Sequence, residues 1–415
     1  MPETFTLPNG LRVVHEYLPQ LRSVNAGIYV RSGSVMESPE EGGISHFLEH
    51  MSFKGTSRRT TRQIAEETDQ LGGGINAFTS RQATCYYGRV IDEDLPACFD
   101  LLSDLVMGAD LPPDELERER GVILEEIAMA EDDTEDLCAE LLTQAQYGGD
   151  LPMARPILGR PERVSAYTRS ELLDYRRRRY TPGGCVVSLC GQFDPDAVRR
   201  LITEGMGRWS GPALDFVNPP APILSGQRVA VRKETEQLQL GLGYPGCGGE
   251  HPDRHAMTVL ASILGGAMSS RLFQRIREEL GLAYSVYSVP VMEEGSGLFQ
   301  IYAGVSPQNG RRVLEEIGRV VADLAEHGPT EKEFHDVQKQ LRVGYLLGLE
   351  STSGRMLDNG RRVLSNRPLT DPAERLRQME AVTREQVTDL ARRVFGEKPC
   401  LSAVGPNAED FGAED

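Results

Sequence analysis

Apolar and polar positions alternate with a period of two over Leu11 to Val14 and Val24 to Val30, the signature of strands that bury one face. The pattern lengthens to a helical period near 42–54, 61–71 and 93–107. It returns to a strand from Ile75 to Val90 and, after further helices, ends on the apolar strand Val186 to Cys190. Strands bunched early and late, with helices between them, predict an α+β class in which helices pack on an antiparallel or mixed sheet.

The pattern then recurs. Thr168-Arg169, Asp174, Arg177-Arg178 and Tyr180 reappear 215 positions later as Thr383-Arg384, Asp389, Arg392-Arg393 and Phe395, and Cys185 leading to Gly191 parallels Cys400 leading to Gly405. Near the start of each half, Arg12-Val13-Val14 is echoed by Arg228-Val229-Ala230. A duplication of this kind predicts two homologous domains, 1–210 and 227–415. Between them, 211–226 holds Pro212, Pro219, Pro220 and Pro222 with little periodicity and reads as a linker.

The chemistry is concentrated in the first half, in His46-Phe47-Leu48-Glu49-His50. Positions i and i+4 share a helix face, so His46 and His50 can aim ring nitrogens at one ion while Glu49 stands beside them to take a proton from water. Downstream, Glu119-Arg120-Gly121-Val122-Ile123-Leu124-Glu125-Glu126 is apolar and acidic at helical spacing and offers a glutamate from a second helix. Three protein ligands would leave the fourth position open, as in hydrolytic rather than structural zinc sites. In the second half the counterparts fall near Leu260 to Leu264 and near Arg342, so zinc is expected only in the first domain.

The stretch His46 to Thr56 resembles the pitrilysin/insulinase family of inverted zinc metallopeptidases, including the processing-peptidase β subunits and short bacterial homologues. The resemblance recurs in Gly73-Gly74-Ile75-Asn76-Ala77-Phe78-Thr79-Ser80 and in Arg277-Glu278-Glu279-Leu280-Gly281-Leu282-Ala283-Tyr284-Ser285, so it spans both halves. It implies that Zn2+, one per chain, is held by His46, His50 and Glu126, with Glu49 as general base and Glu119 as a supporting acid. Glu125 should point elsewhere. The strand through Asn76 and Ala77 is implied to be a sheet edge that pairs with extended substrate, and Arg277 and Tyr284 to be a pair that holds substrate and stabilises the oxyanion. One departure is Gln82, where the family often carries a glutamate. The implied architecture is half of a clamshell peptidase, working on peptides as a homodimer or as a heterodimer with an inactive homologue. Some family members are non-catalytic partners or structural subunits, which is the competing expectation.

Composition narrows the classes further. A 415-residue chain with 39% apolar and 26% charged residues is ordinary globular usage for two or more domains. A formal charge of −17 argues against nucleic acid as partner. Arg176 to Arg179 read as a solvated helix end, where cations suit the dipole. No apolar run approaches a membrane span and Met1-Pro2-Glu3-Thr4 lacks signal-peptide character, so no membrane association and a cytoplasmic location are expected. Seven cysteines without a C-x-x-C pair fit buried thiols. Gly241 to Gly246 matches G-x-G-x-x-G in letters only, since Pro245 and the following glycines delay any helix.

Overall fold

The computed structural model describes residues 1–149, 151–212, 214 and 221–412. Of the expected linker 211–226, residues 213 and 215–220 lie outside them. Two sheets organise the described residues. The first takes β1 (Glu3–Thr6), β2 (Arg12–Tyr17), β3 (Ser23–Val30), β4 (Ile75–Thr79), β5 (Thr84–Ile91) and β6 (Cys185–Gly191) in the order β1-β2-β6-β3-β5-β4. The second takes β7 (Arg228–Arg232), β8 (Leu238–Pro245), β9 (Ala283–Glu293), β10 (Ser296–Val305) and β11 (Cys400–Gly405) in the order β7-β11-β8-β10-β9.

The two orders superpose strand for strand, with β2, β6, β3, β5 and β4 matching β7, β11, β8, β10 and β9. In the first sheet β6 lies parallel to β2 and antiparallel to β3, and in the second β11 lies parallel to β7 and antiparallel to β8. The duplication read from scattered residues is therefore a duplication of topology, and the α+β layering is as expected. Two strand readings change. The single strand expected from Ile75 to Val90 is a hairpin, because Ser80 and Ala83 close a turn through Ser80 N–H to the Ala83 carbonyl at 2.8 Å. The sheet also gains β1, antiparallel to β2, which the alternation did not mark.

Compactness does not follow the contiguous halves 1–210 and 227–415. One unit comprises Met1–Ile127, Arg155–Val217 and Leu346–Asp371, and the other Ala128–Ala154, Asn218–Tyr345 and Pro372–Asp415. Each half lends the other a helix. Helix Thr352–Leu364 packs on β2, β3 and β6 of the first unit, and helix Thr134–Tyr147 on β7, β8 and β11 of the second.

The physical reason is a polar complement at each landing site. In the first unit Arg355 pairs with buried Glu16, Asn25 donates to Thr352 Oγ1 at 2.6 Å, and Arg12 and Arg31 donate to the carbonyls of Val363 and Leu364 at the helix C-terminus, where cations also suit the dipole. Gly360 lets this helix lie against the sheet, since a Cβ there would meet the Tyr29 ring at 2.5 Å. In the second unit Gln146 donates to the Tyr244 carbonyl at 3.0 Å, Tyr287 to Glu135 at 2.7 Å, and Ser402 to the Cys138 carbonyl at 2.9 Å.

Each unit has its own apolar core, the first around Val13, Ile28, Phe47, Leu102 and Tyr175, the second around Leu240, Leu260, Phe299, Ile317 and Ala403. The seven cysteines are free and buried. Gly241 to Gly246 begins within β8, so the literal glycine motif is strand. Of the arginine run, Arg177 and Arg178 are exposed, while Arg176 and Arg179 reach the carbonyls of Val106 and Met36. Among the described residues no helix is long and apolar enough to cross a membrane.

Candidate metal centre

Helix Ile44–Ser52 buries Ile44, Phe47, Leu48 and Met51, an apolar stripe at helical spacing that fixes its rotation on the sheet. The opposite flank then presents His46, Glu49 and His50. Entry to the helix is demanding. Gly43 sits at φ 85°, and a Cβ on it would meet the Leu158 carbonyl at 2.6 Å. No side chain caps the helix from the usual position. Instead the buried Glu37 carboxylate accepts from the N–H groups of Gly43 at 2.8 Å and Ser45 at 2.9 Å. Burial pushes its pKa up to about 7, against the pull of these two N–H groups.

The second helix, Pro113–Asp132, buries Leu116, Glu119, Ile123 and Ile127. Glu119 thus occupies a slot in an apolar stripe and needs partners. Lys54 Nζ lies 2.7 Å from its Oε1, and His50 Nδ1 lies 3.1 Å from its Oε2. A carboxylate on Nδ1 favours the tautomer with the hydrogen there, which leaves the Nε2 lone pair facing the site. Glu126, two turns after Glu119, shares its face, and Glu125 is exposed.

Three ligating atoms converge. Glu126 Oε2 lies 3.6 Å from His46 Nε2 and 3.5 Å from His50 Nε2, and one atom from each of the three residues falls within 4.8 Å of the others. Tetrahedral ligands at roughly 2.0–2.2 Å from zinc stand about 3.3–3.6 Å apart. Glu126 Oε2 is buried without a hydrogen-bond partner among the described residues, although its side chain is 45% exposed. Only that one oxygen is turned inward. Burial, reinforced by His50, pushes His46 down to about 3, so its ring stays neutral and able to donate a lone pair. The donor set therefore fits zinc.

Glu49 is raised above the usual carboxylate range by burial, while the Thr79 hydroxyl, 2.5 Å away, pulls the other way. Thr79, Lys54 and Glu37 are the residues whose roles the sequence reading did not assign. β4, which carries Asn76 and Ala77, is a sheet edge. Asn76 is exposed, and its Oδ1 accepts from Ala77 N–H at 2.8 Å. Arg277 and Tyr284 belong to the other unit. They meet each other, with the Arg277 guanidinium 4.7 Å from the Phe273 ring and 5.5 Å from that of Tyr284, which is 73% exposed. The segment carrying Arg277, Phe273–Glu279, is a π-helix.

Residues 12–160 match the family model described as Insulinase (Peptidase family M16), and residues 166–341 the one described as Peptidase M16 inactive domain. An uncharacterized zinc protease of Mycobacterium leprae (strain TN) is 41% identical over 97% of this chain and 91% of its own. The chain belongs to the M16 peptidase family. Another M16 relative, an uncharacterized zinc protease of Bacillus subtilis (strain 168), is 38% identical over 98% of this chain and 99% of its own. The fold is shared with a protease from Helicobacter pylori (TM-score 0.92, 21% identity, covering 98% of this chain and 99% of that one). It is shared equally with a Pseudomonas fluorescens protein described as a peptidase M16 inactive domain (TM-score 0.90, 23% identity, covering 98% of each chain). In this M16 chain the histidine motif lies within the first matched segment, and the second matched segment begins after Glu126.

Proposed function

We propose that this chain is a zinc-dependent endopeptidase acting on peptides or unfolded segments. The observation that carries the reading is the convergence of His46, His50 and Glu126 with Glu49 held beside them by Thr79. Zinc held by the three ligands supplies Lewis acidity toward a carbonyl oxygen and acidifies water. Glu49 takes the proton lost as the water oxygen attacks the peptide carbonyl carbon. It returns that proton to nitrogen as the C–N bond breaks, so water and an amide become a carboxylic acid and an amine, which at neutral pH stand as carboxylate and ammonium. Glu119, neutralised by Lys54, keeps His50 in the tautomer that faces the site.

Substrate binding is assigned to the β4 edge, where an extended peptide can add as a strand. Asn76 must then turn aside, because its side chain holds the Ala77 N–H that such a strand would use. Arg277 and Tyr284, an exposed guanidinium stacked on a phenol, are assigned to holding substrate and stabilising the oxyanion. We further assign the active form to a dimer that encloses the peptide. A homodimer is the simplest form, since one polypeptide carries both the ligand set and the Arg277 and Tyr284 pair. A heterodimer with an inactive homologue is the other form.

The test is zinc content of freshly purified protein together with cleavage of a proteome-derived peptide library. About one zinc per chain and metal-dependent cleavage are expected. A chain loaded with zinc that cuts nothing in the library would overturn the peptidase reading.

A further inference from the structure

The histidine helix Ile44–Ser52 carries a second stripe besides the apolar one. Ser45, Glu49 and Ser52 stand at i, i+4 and i+7 and so share one face, next to the face of His46 and His50. Both serines are buried, and a buried hydroxyl needs a partner. The partners form a clamp at each end of the helix. At its start, Ser45 Oγ lies 3.0 Å from the Tyr175 hydroxyl and 3.1 Å from Ser32 Oγ. At its end, Ser52 donates to the Leu48 carbonyl at 2.9 Å, which leaves its oxygen to accept from the Tyr86 hydroxyl, also at 2.9 Å. Tyr86 in turn accepts from Tyr180 at 2.9 Å. Between the two ends stands Glu49, bonded to Thr79.

The two clamps act where apolar packing does not. Apolar contact is non-directional, so it decides which face turns inward but tolerates small slips. A hydrogen bond weakens steeply off its line, and two of them at opposite ends fix how far the helix is turned and where it stands along its axis. Both anchors are rooted in the core of the unit. Tyr86 is fully buried on β5 and Tyr175 on helix Arg169–Arg179. A satisfied buried network of this kind singles out one arrangement of the elements it joins. His46, Glu49 and His50 all lie within the clamped span, so the metal centre inherits that arrangement.

We propose that Tyr86 and Tyr175 are positioning residues for the metal centre: their hydroxyl groups, through Ser52 and Ser45, set the rotation of the helix that presents both histidines and Glu49. The proposal rests on the peptidase reading only for the role of Glu49. The placing of the two histidines is tested by zinc alone.

The experiment removes one oxygen at a time from the full chain. Tyr86→Phe should weaken zinc binding, measured by competition with a chelator, about tenfold. With zinc saturating, it should lower kcat about tenfold while KM stays near that of the wild type. Tyr29→Phe is the control for a purely structural loss. Tyr29 is buried on the opposite face of the same sheet, where its hydroxyl donates to the Leu357 carbonyl at 3.0 Å. This variant should lower the melting temperature and leave zinc affinity unchanged. Ser52→Ala combined with Tyr86→Phe should weaken zinc little more than Tyr86→Phe alone, because both remove the same bond. Wild-type zinc affinity in Tyr86→Phe, an equal loss in Tyr29→Phe, or losses that multiply in the double variant would overturn the proposal. Should Tyr86→Phe fail to fold, Tyr175→Phe, paired with Ser45→Ala in the same way, decides. A chain that binds zinc but cleaves no peptide sinks the peptidase reading and leaves the zinc comparison to decide this one.

Discussion

Thr79 donates its hydroxyl hydrogen to Glu49 across 2.5 Å, from the end of the edge strand β4 to the helix that carries the histidines. The bond favours the ionised carboxylate, whereas burial opposes ionisation and holds Glu49 above the usual carboxylate range. A general base must be ionised to accept a proton, so activity should fall on the acid side as Glu49 protonates. Thr79→Val removes a stabiliser of the charged form and should move the acid limb of kcat/KM to higher pH. An unchanged acid limb would mean that another group governs it.

Glu49→Gln leaves His46, His50 and Glu126 in place and removes only the proton acceptor. Zinc content should stay near that of the wild type, while peptide cleavage falls by about 10²–10⁴-fold. Retained activity in a zinc-loaded variant would remove Glu49 from the mechanism.

On the second helix the two adjacent glutamates should behave differently. Glu126→Gln exchanges a ligating oxygen of an inward-turned carboxylate for an amide and should release zinc readily on dialysis against a chelator. Glu125→Gln, on the exposed face, should match the wild type. Glu119→Gln should lie between them, with roughly 10–100-fold weaker zinc binding, because it loses the charge that orients His50. The reverse order for Glu125 and Glu126 would place the wrong carboxylate at the metal.

Much of this centre is legible in the sequence because a helix converts spacing into direction. His46 and His50 at i and i+4, and Glu119 and Glu126 at i and i+7, must share faces. The supports are less legible. Glu37 caps the histidine helix from six and eight residues upstream, outside any capping box, so no local pattern announces it. The turn at Ser80 to Ala83 lacks glycine and proline, which is why β4 and β5 read as one strand. The helix exchange is hidden for a more general reason. An apolar stripe on 134–147 or 352–364 says that the helix packs on a sheet, and both homologous sheets offer the same kind of surface. What distinguishes them is long-range pairing such as Glu16 with Arg355, over 339 positions in sequence.

Glu333 predicts a specific loss of stability in acid. Burial alone would raise its pKa, but Arg271, bonded to both oxygens at 2.7 and 2.8 Å, and the Thr330 N–H at 2.7 Å bring it down to about 2. The unfolded chain protonates Glu333 near its ordinary value of 4.5. Its contribution is therefore fully present above pH 4.5 and disappears as pH falls toward 2. At pH 6 it should be on the order of 2 kcal/mol, allowing for screening by solvent. Glu333→Gln should accordingly lower the melting temperature at pH 6, and the gap to wild type should close by about pH 2. A gap independent of pH would assign the effect to packing rather than to the charge.

The dimer reading gives the most discriminating experiment, because it concerns which chain supplies which residue. The ligand set lies in one unit and the stacked Arg277 and Tyr284 in the other. If each site takes zinc and Glu49 from one chain and Tyr284 from its partner, a two-fold dimer completes two sites from identical chains. Glu49→Gln and Tyr284→Phe homodimers should each be inactive. Mixed under conditions of subunit exchange, they form a heterodimer in which one site has lost both residues and the other has kept both, so activity should return. At complete exchange of equal amounts, half the dimers are mixed and each has one working site of two, so about a quarter of the wild-type rate is expected. If each chain builds its site from its own residues, every site in the mixture lacks one of the two and no activity returns. Verified exchange without recovery, or an active purified monomer, would therefore show that the site is built within a single chain.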